Sequence, residues 1–241
     1  MGFDLANRPE PWANKSIVPF QAAGAYLPLV ERDGELEPDR ENHGTVCFLS
    51  AQGLFVTAGH VVEHFNDDAV VTILNGLGMP YMRVKFVLRH PVADLAIGFV
   101  EVDPNHSTKI SPMTLSRRRL AIDAHVAVLG YPRTKLGERA GVGTTLQFNP
   151  DYYPGDVFDF CPDGVTLTKG PTYLVNMMQP PSFADYSGLS GGPVVDPETL
   201  EVHAVFSTWL DGENGYATCP DIATLLDWEM FAPYLDVVKV A

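Results

Sequence analysis

The chain reads as an all-β protein built from two small antiparallel barrels, or from a pair of sandwiches with much the same strand pattern, with one helix at its C-terminal end. Three observations predict this. Twenty prolines and 21 glycines cut 241 residues into short runs, which suits many short strands and leaves little room for long helices. The runs are rich in β-branched and aromatic residues and fall into two sets of about six. A polar stretch at 103–119 separates the sets. Helical character is confined to 221–231, where Asp221 offers an N-cap and Pro233 a stop.

Taken in order, residues 1–43 are rich in Pro, Glu, Asp and Arg, with an apolar patch at 16–29, and read as an irregular arm packed on the barrels. The first barrel is expected over 44–116. It opens on a hairpin: TVCFL at 45–49, a turn AQG at 51–53, and a returning LFVT at 54–57. Further strands are expected at 70–74, 82–88 and 95–100. The basic triplet Arg117-Arg118-Arg119 reads as a solvated turn between the halves. The second barrel and the helix take 117–241, with strands at 124–129, 144–148, 165–168, 173–177, 193–195, 202–207 and 216–218. Residues 133–143 and 149–163 read as loops, the aromatic and acidic run at 151–160 covering a hydrophobic surface.

Composition narrows the function. Lys plus Arg is 16 against 30 for Asp plus Glu, a formal charge of −14, which argues against a nucleic-acid binder or a protein that docks on anionic lipid. No apolar run is long enough to span a bilayer. The opening MGFDLANRPEPW lacks a charged segment followed by an apolar one, so no secretory signal is expected, and Ala6 stands where myristoylation wants Ser or Thr. Cys47, Cys161 and Cys219 are scattered and odd in number, which suggests neither a disulfide framework nor a zinc knuckle. The expectation is a cytoplasmic protein with reduced thiols and neither cofactor nor metal.

Three segments carry chemistry. SGLSGGPV at 187–194 crowds glycines around Ser190, TAGHV at 57–61 puts His60 where an apolar strand ends, and DLAI at 94–97 puts Asp94 directly before another. A serine hydroxyl needs a base to become a nucleophile. Histidine can take that proton near neutrality and return it. A carboxylate at a strand end is costly to desolvate unless hydrogen-bonded, and an imidazole N–H is a natural partner. Small residues beside the serine leave backbone N–H groups bare to face an oxyanion.

In that order, with those contexts, the three segments resemble the trypsin-like serine peptidases of the chymotrypsin fold, over about 44–225. The resemblance implies two six-stranded β-barrels with the site in the cleft between them. It implies His60 as general acid–base, Asp94 as its orienter, Ser190 as nucleophile, and the N–H groups of Gly188 and Ser190 as oxyanion hole. Ser207, Thr208 and Trp209 resemble the strand that pairs with substrate, with Ser207 steadying Asp94, and Gly215 begins a strand resembling the one that closes the specificity pocket in bacterial HtrA-type members. Gly130-Tyr131-Pro132 also resembles bacterial members. Leu189 stands where secreted digestive relatives carry the Asp that captures a freshly cut N-terminus, and Val61 where they carry a disulfide cysteine. An intracellular bacterial-type peptidase follows, one that needs no N-terminal trimming and has no PDZ domain after the barrels.

Polypeptide substrate is the implied partner. The N-terminal arm and the 151–160 run are candidates for docking a regulatory protein. The resemblance puts Ala184 at the pocket floor with Asp185 beside it: Ala184 implies a small or apolar side chain at the substrate's P1 position, and a shift of one residue would bring in Asp185 and select Lys or Arg. Two other readings stay open. His60-Val61-Val62-Glu63-His64 matches H-x-x-E-H, a zinc-peptidase signature that needs a substantial helix, and barely two turns are available between Gly59 and Asn66. A barrel module that binds peptides by strand addition without cleaving them is the other.

Overall fold

The computed structural model describes residues 22–39, 42–63, 68–73, 81–103, 110–132, 136–139, 145–148, 151–166, 168–177, 186–210 and 215–241. Its first unit contains strands β1 (Ala23–Arg32), β2 (Glu35–Pro38), β3 (Gly44–Phe48), β4 (Leu54–Thr57), β5 (Ala69–Thr72), β6 (Met82–Arg89) and β7 (Ala96–Val100). They form one antiparallel sheet in the order β2-β1-β3-β4-β7-β6-β5. The long β1 serves three neighbours: Ala23–Tyr26 pairs β3, Ala25–Pro28 pairs β5, and Leu29–Arg32 pairs β2. The second pairing closes six strands into a barrel and leaves β2 as a flap outside it. The barrel therefore takes in part of the segment expected as an irregular arm. Residues 23–29 of the apolar patch are the start of its first strand.

The hairpin β3–β4 forms as its sequence predicts, and every residue of its two strands is buried. Both faces of these strands are covered. Val46, Phe48, Phe55, Ala96 and Val100 point into the barrel, where Phe48 and Phe55 meet edge to face. Cys47, Leu49, Leu54, Val56, Leu95 and Ile97 point outward into a second core shared with the rest of the chain. Strands buried on two sides read as continuous apolar runs, because no position faces water.

The second unit holds β8 (Thr114–Leu115), β9 (His125–Gly130), β10 (Leu136–Arg139), β11 (Thr145–Phe148), β12 (Asp151–Cys161), β13 (Gly164–Val165), β14 (Thr168–Lys169), β15 (Thr172–Met177), β16 (Pro193–Val195), β17 (Val202–Val205), β18 (Thr208–Leu210), β19 (Tyr216–Pro220) and β20 (Lys239–Val240). Nine of these make a sheet in the order β18-β19-β15-β12-β9-β16-β17-β8-β20, and the pairs β10–β11 and β13–β14 are separate hairpins. A second closed six-stranded barrel was the expectation; among the described residues this sheet is open. It curls until a bridge between Ala204 and Asp221 and a 2.9 Å bond from the Ser207 amide to the Thr218 carbonyl draw its ends together. The parallel additions β8 and β20 beyond β17 extend its far edge.

Two segments expected as loops contain strands. Within 149–163, β12 pairs β9 on one side and β15 on the other. Pro154-Gly155 reads as a turn in sequence, yet Tyr153, Gly155 and Val157 alternate inward with period two. The bulge between Val157 and Asp159 absorbs the irregularity. Within 133–143, β10 pairs β11. The terminal helix is shorter than 221–231. Helix α1 (Ile222–Leu226) is capped by Asp221, whose carboxylate accepts the Ala223 amide at 2.9 Å, and a 3₁₀ run Glu229–Val237 follows with Pro233 inside it. Trp228 is extended and breaks the two apart.

Ile222, Leu225 and Phe231 join Leu115, Leu129, Val195, Val202 and Val205 against the outer face of β3, β4 and β7. This shared core brings the end of β4 and the start of β7 against the segments that flank β16 and β17. One glycine shows how tight the seam is. Gly191 has φ of +92°, and a Cβ there would lie 1.9 Å from the Thr45 carbonyl oxygen and 2.1 Å from Thr57 Oγ1. Gly191→Ala is expected to cost about 3 kcal/mol, combining left-handed strain with overpacking. Urea melts check this: a wild-type midpoint in the variant would refute it.

Candidate active site

Strand β4 ends at Thr57, and Gly59–Val62 make one turn of 3₁₀ helix that turns His60 outward, its side chain 42% exposed. Buried Val62 anchors the turn. Gly59 clears the way for a carboxylate, since a Cβ there would sit 3.0 Å from Asp94 Oδ1. Asp94 arrives on the turn at 91–94 between β6 and β7. His90 shapes that turn: its Nδ1 accepts the amides of Val92 at 3.2 Å and Ala93 at 2.9 Å, and its own amide donates to the Leu95 carbonyl at 2.8 Å.

The Asp94 carboxylate then accepts three bonds. The His60 amide donates to Oδ1 at 2.8 Å, His60 Nδ1 to Oδ2 at 2.8 Å, and Ser207 Oγ to Oδ2 at 2.5 Å. An ionised carboxylate only accepts, so Nδ1 carries the imidazole proton and Nε2 keeps its lone pair. Burial pushes the Asp94 pKa up, but the His60 hydrogen bond and charge, aided by Ser207, outweigh it and hold the group below its ordinary value. The acid stays ionised behind the ring.

Ser190 lies just before β16, between Gly188 at φ +89° and Gly191 at φ +92°. Left-handed φ at both is open to glycine at little cost. Around it the Leu189 amide bonds the Tyr186 carbonyl at 3.0 Å, the Gly191 amide bonds Phe206 at 2.8 Å, and the Gly192 amide bonds Leu189 at 2.8 Å. The N–H groups of Gly188 and Ser190 take no partner among the described residues. The Ser190 hydroxyl donates to the Ser207 carbonyl at 2.8 Å rather than to His60. Ser207, buried between β17 and β18, is thus bonded to both Asp94 and Ser190. His60, Asp94, Ser207 and Ser190 form one connected set of hydrogen bonds across the seam.

This geometry suits acyl transfer at a serine, and comparison with known proteins gives the family. The trypsin-like peptidase domain matches residues 44–205, about two thirds of the chain. The chain belongs to the trypsin-like peptidase family. Membership makes it a serine endopeptidase. The fold is chymotrypsin-like by its structural neighbours. The active form of the Rv3671c protease from M. tuberculosis superposes with a TM-score of 0.63 at 18% identity, covering 100% of this chain and 95% of that one. An inactive serine-to-alanine mutant of Rv3671c gives 0.64 at 17%, covering 99% and 100%. A serine-to-alanine form of the HtrA-type protease AlgW with a decapeptide gives 0.63 at 16%, covering 94% and 68%. No curated protein sequence matches this peptidase chain.

Of the other residues singled out in the peptidase sequence, Ala184 and Asp185 lie outside the described residues, as does His64 of the H-x-x-E-H match. What is described of that match is a single 3₁₀ turn, and His60 Nδ1 is engaged by Asp94. Thr208, Trp209 and Gly215 lie together: β18 pairs β19 with Thr208 opposite Thr218. The Trp209 ring packs on Tyr186, centroids 4.8 Å apart, and covers Gly215, where a Cβ would be 2.5 Å from Trp209 Cζ2.

Two residues at the site escaped the sequence reading. His90 lies four residues before Asp94 and gives no signal by itself, because its partners are backbone amides. Thr45 looks like any β-branched strand residue. His90→Ala removes the acceptor of two amides in the turn that presents Asp94, and kcat/KM is expected to fall about tenfold with KM little changed. Burial also lowers the His90 pKa, so its neutral form stabilises the fold above the ordinary value of about 6.5, and that contribution is lost as pH falls through the lower folded value. The variant should therefore lose less stability than wild type on acidification below pH ~6.5. Equal losses in pH-dependent urea melts would refute this.

Proposed function

We propose that this chain cleaves peptide bonds through a triad of His60, Asp94 and Ser190 and an acyl-enzyme intermediate. The observation that carries the reading is the Asp94 carboxylate, which fixes the His60 tautomer with Nε2 bare while Ser207 ties the same carboxylate to Ser190. Rotation of the Ser190 side chain moves its hydroxyl from the Ser207 carbonyl toward Nε2. Oγ attacks the scissile carbonyl carbon as its proton passes to Nε2. Negative charge moves to the carbonyl oxygen, which the Gly188 and Ser190 amides receive. The C–N bond then breaks, the amine leaves with the proton from Nε2, and an ester on Ser190 remains. Water, deprotonated by His60, attacks the ester and releases the acid.

Substrate pairs as a strand along 207–209, by strand addition, and peptide binding itself is supported by the AlgW neighbour, which carries a decapeptide. By the resemblance Gly215 lines the specificity pocket, and Trp209 packed over it favours a small side chain at P1. Leu189 is fully buried and offers no carboxylate to a cut N-terminus, so activity without trimming, in the cytoplasm, is part of the proposal.

Reaction with a fluorophosphonate, followed by intact mass and peptide mapping, tests this assignment of the nucleophile. One phosphonyl adduct on Ser190, absent in Ser190→Ala, is expected; no adduct would sink the peptidase mechanism.

A further inference from the structure

Thr45 lies on β3 of the first unit, fully buried, with no side-chain role in that barrel's core. Three of its hydrogen bonds cross the seam, and a fourth stays within its own barrel. Its amide donates to the Ser190 carbonyl at 2.8 Å, and its hydroxyl donates to the Gly188 carbonyl at 2.7 Å. That hydroxyl accepts the Tyr131 amide at 3.0 Å, which aims its proton at Gly188, and its carbonyl accepts Thr57 Oγ1 at 2.7 Å. The glycines around it keep clear of it: a Cβ at Gly130 would lie 2.7 Å from Thr45 Oγ1, and one at Gly191 would lie 1.9 Å from the Thr45 carbonyl oxygen.

We propose that Thr45 is a positioning residue for the oxyanion hole, holding from the opposite barrel the carbonyls of the two residues whose amides form it. Three successive peptide planes are involved. The 188–189 plane is held by Thr45 Oγ1 on its carbonyl and by the Leu189 amide on Tyr186. The 190–191 plane is held by the Thr45 amide on its carbonyl and by the Gly191 amide on Phe206. The plane between them is fixed through its carbonyl, which accepts the Gly192 amide, and its remaining group is the Ser190 N–H. A peptide unit is rigid, so pinning the planes on both sides stops the middle one from turning over. The Gly188 N–H lies in the preceding 187–188 plane, which joins the pinned 188–189 plane at a glycine with φ of +89°, so Thr45 steadies this second donor from one side. Preorganised donors stabilise a developing charge without reorganising, and a loosened hole loses that advantage.

The inference rests on the peptidase mechanism above and is tested through the same phosphonylation, whose reaction places charge on a phosphoryl oxygen. Thr45→Val keeps the shape and removes the hydroxyl. Its second-order rate of fluorophosphonate labelling is expected to fall on the order of 10–100-fold. The pH midpoint of labelling, which reports His60, should stay at the wild-type value, and Thr45→Ser should restore the rate. Should Thr45→Val fail to fold, Thr45→Ala and Thr45→Ser, which differ only in the hydroxyl, are compared well below both melting temperatures. A wild-type rate in Thr45→Val or Thr45→Ala overturns the role of Thr45 and leaves the mechanism standing. A midpoint that moves with the rate overturns it too, by pointing to the His60–Asp94 pair. Absence of labelling in the wild type overturns the mechanism, and this inference with it.

Discussion

Ser190→Ala is expected to lower kcat for peptide hydrolysis by about 10⁶ while KM stays within a few fold of wild type. The reason for the split is local. In the proposed mechanism the hydroxyl is the attacking atom, and its one bond among the described residues is to the Ser207 carbonyl, so deleting it removes little packing. The amides of Gly188 and Ser190 remain, because a backbone N–H survives the substitution. Residual turnover well above the uncatalysed rate is therefore expected from the oxyanion hole and substrate binding. Steady-state kinetics on a fluorogenic peptide measures both constants. A variant within tenfold of wild type would assign the nucleophile elsewhere.

Asp94→Asn is expected to cost about 10⁴ in kcat. Three donors converge on the wild-type carboxylate: the His60 amide, His60 Nδ1 and Ser207 Oγ. An asparagine offers one acceptor oxygen and an NH₂ that only donates. If the oxygen keeps the His60 amide, the NH₂ faces Nδ1, and the ring relieves the clash by shifting its proton to Nε2. The base then has no lone pair for Ser190. Stability should follow pH as well. The depressed Asp94 pKa contributes stability above the unfolded value of about 4, and that contribution is lost as pH falls through the lower folded value. Asp94→Asn should abolish this part of the acid dependence. Unchanged kcat in the variant would remove Asp94 from the mechanism.

Much of the site was legible because its chemistry needs particular side chains at strand ends. His60 follows β4, Asp94 precedes β7 and Ser190 precedes β16, and each sits at one end of an apolar run in the sequence. Strands buried on both faces, such as β3 and β4, were equally plain. The reading failed where local and tertiary signals conflict. Pro154-Gly155 spells a turn, yet neighbours on both sides hold it in β12. Residues 23–32 begin in the apolar patch of an arm otherwise rich in Pro and charge, and their strand exists because β3, β5 and β2 are there to pair with it. Closure of the second sheet depends on how its far strands meet, which no single run encodes. Thr45 and His90 were invisible for a related reason: what they bind is main chain, and main chain has no spelling.

The two-sided burial of β3, β4 and β7 has a consequence for how this enzyme comes apart. Leu54, Val56 and Ile97 share one core with Val195, Val202 and Ile222. A fragment ending near residue 116 would present that apolar flank to solvent and should aggregate or stay molten. The halves are therefore one cooperative folding unit, and whatever melts either of them dismantles the catalytic cleft in the same event.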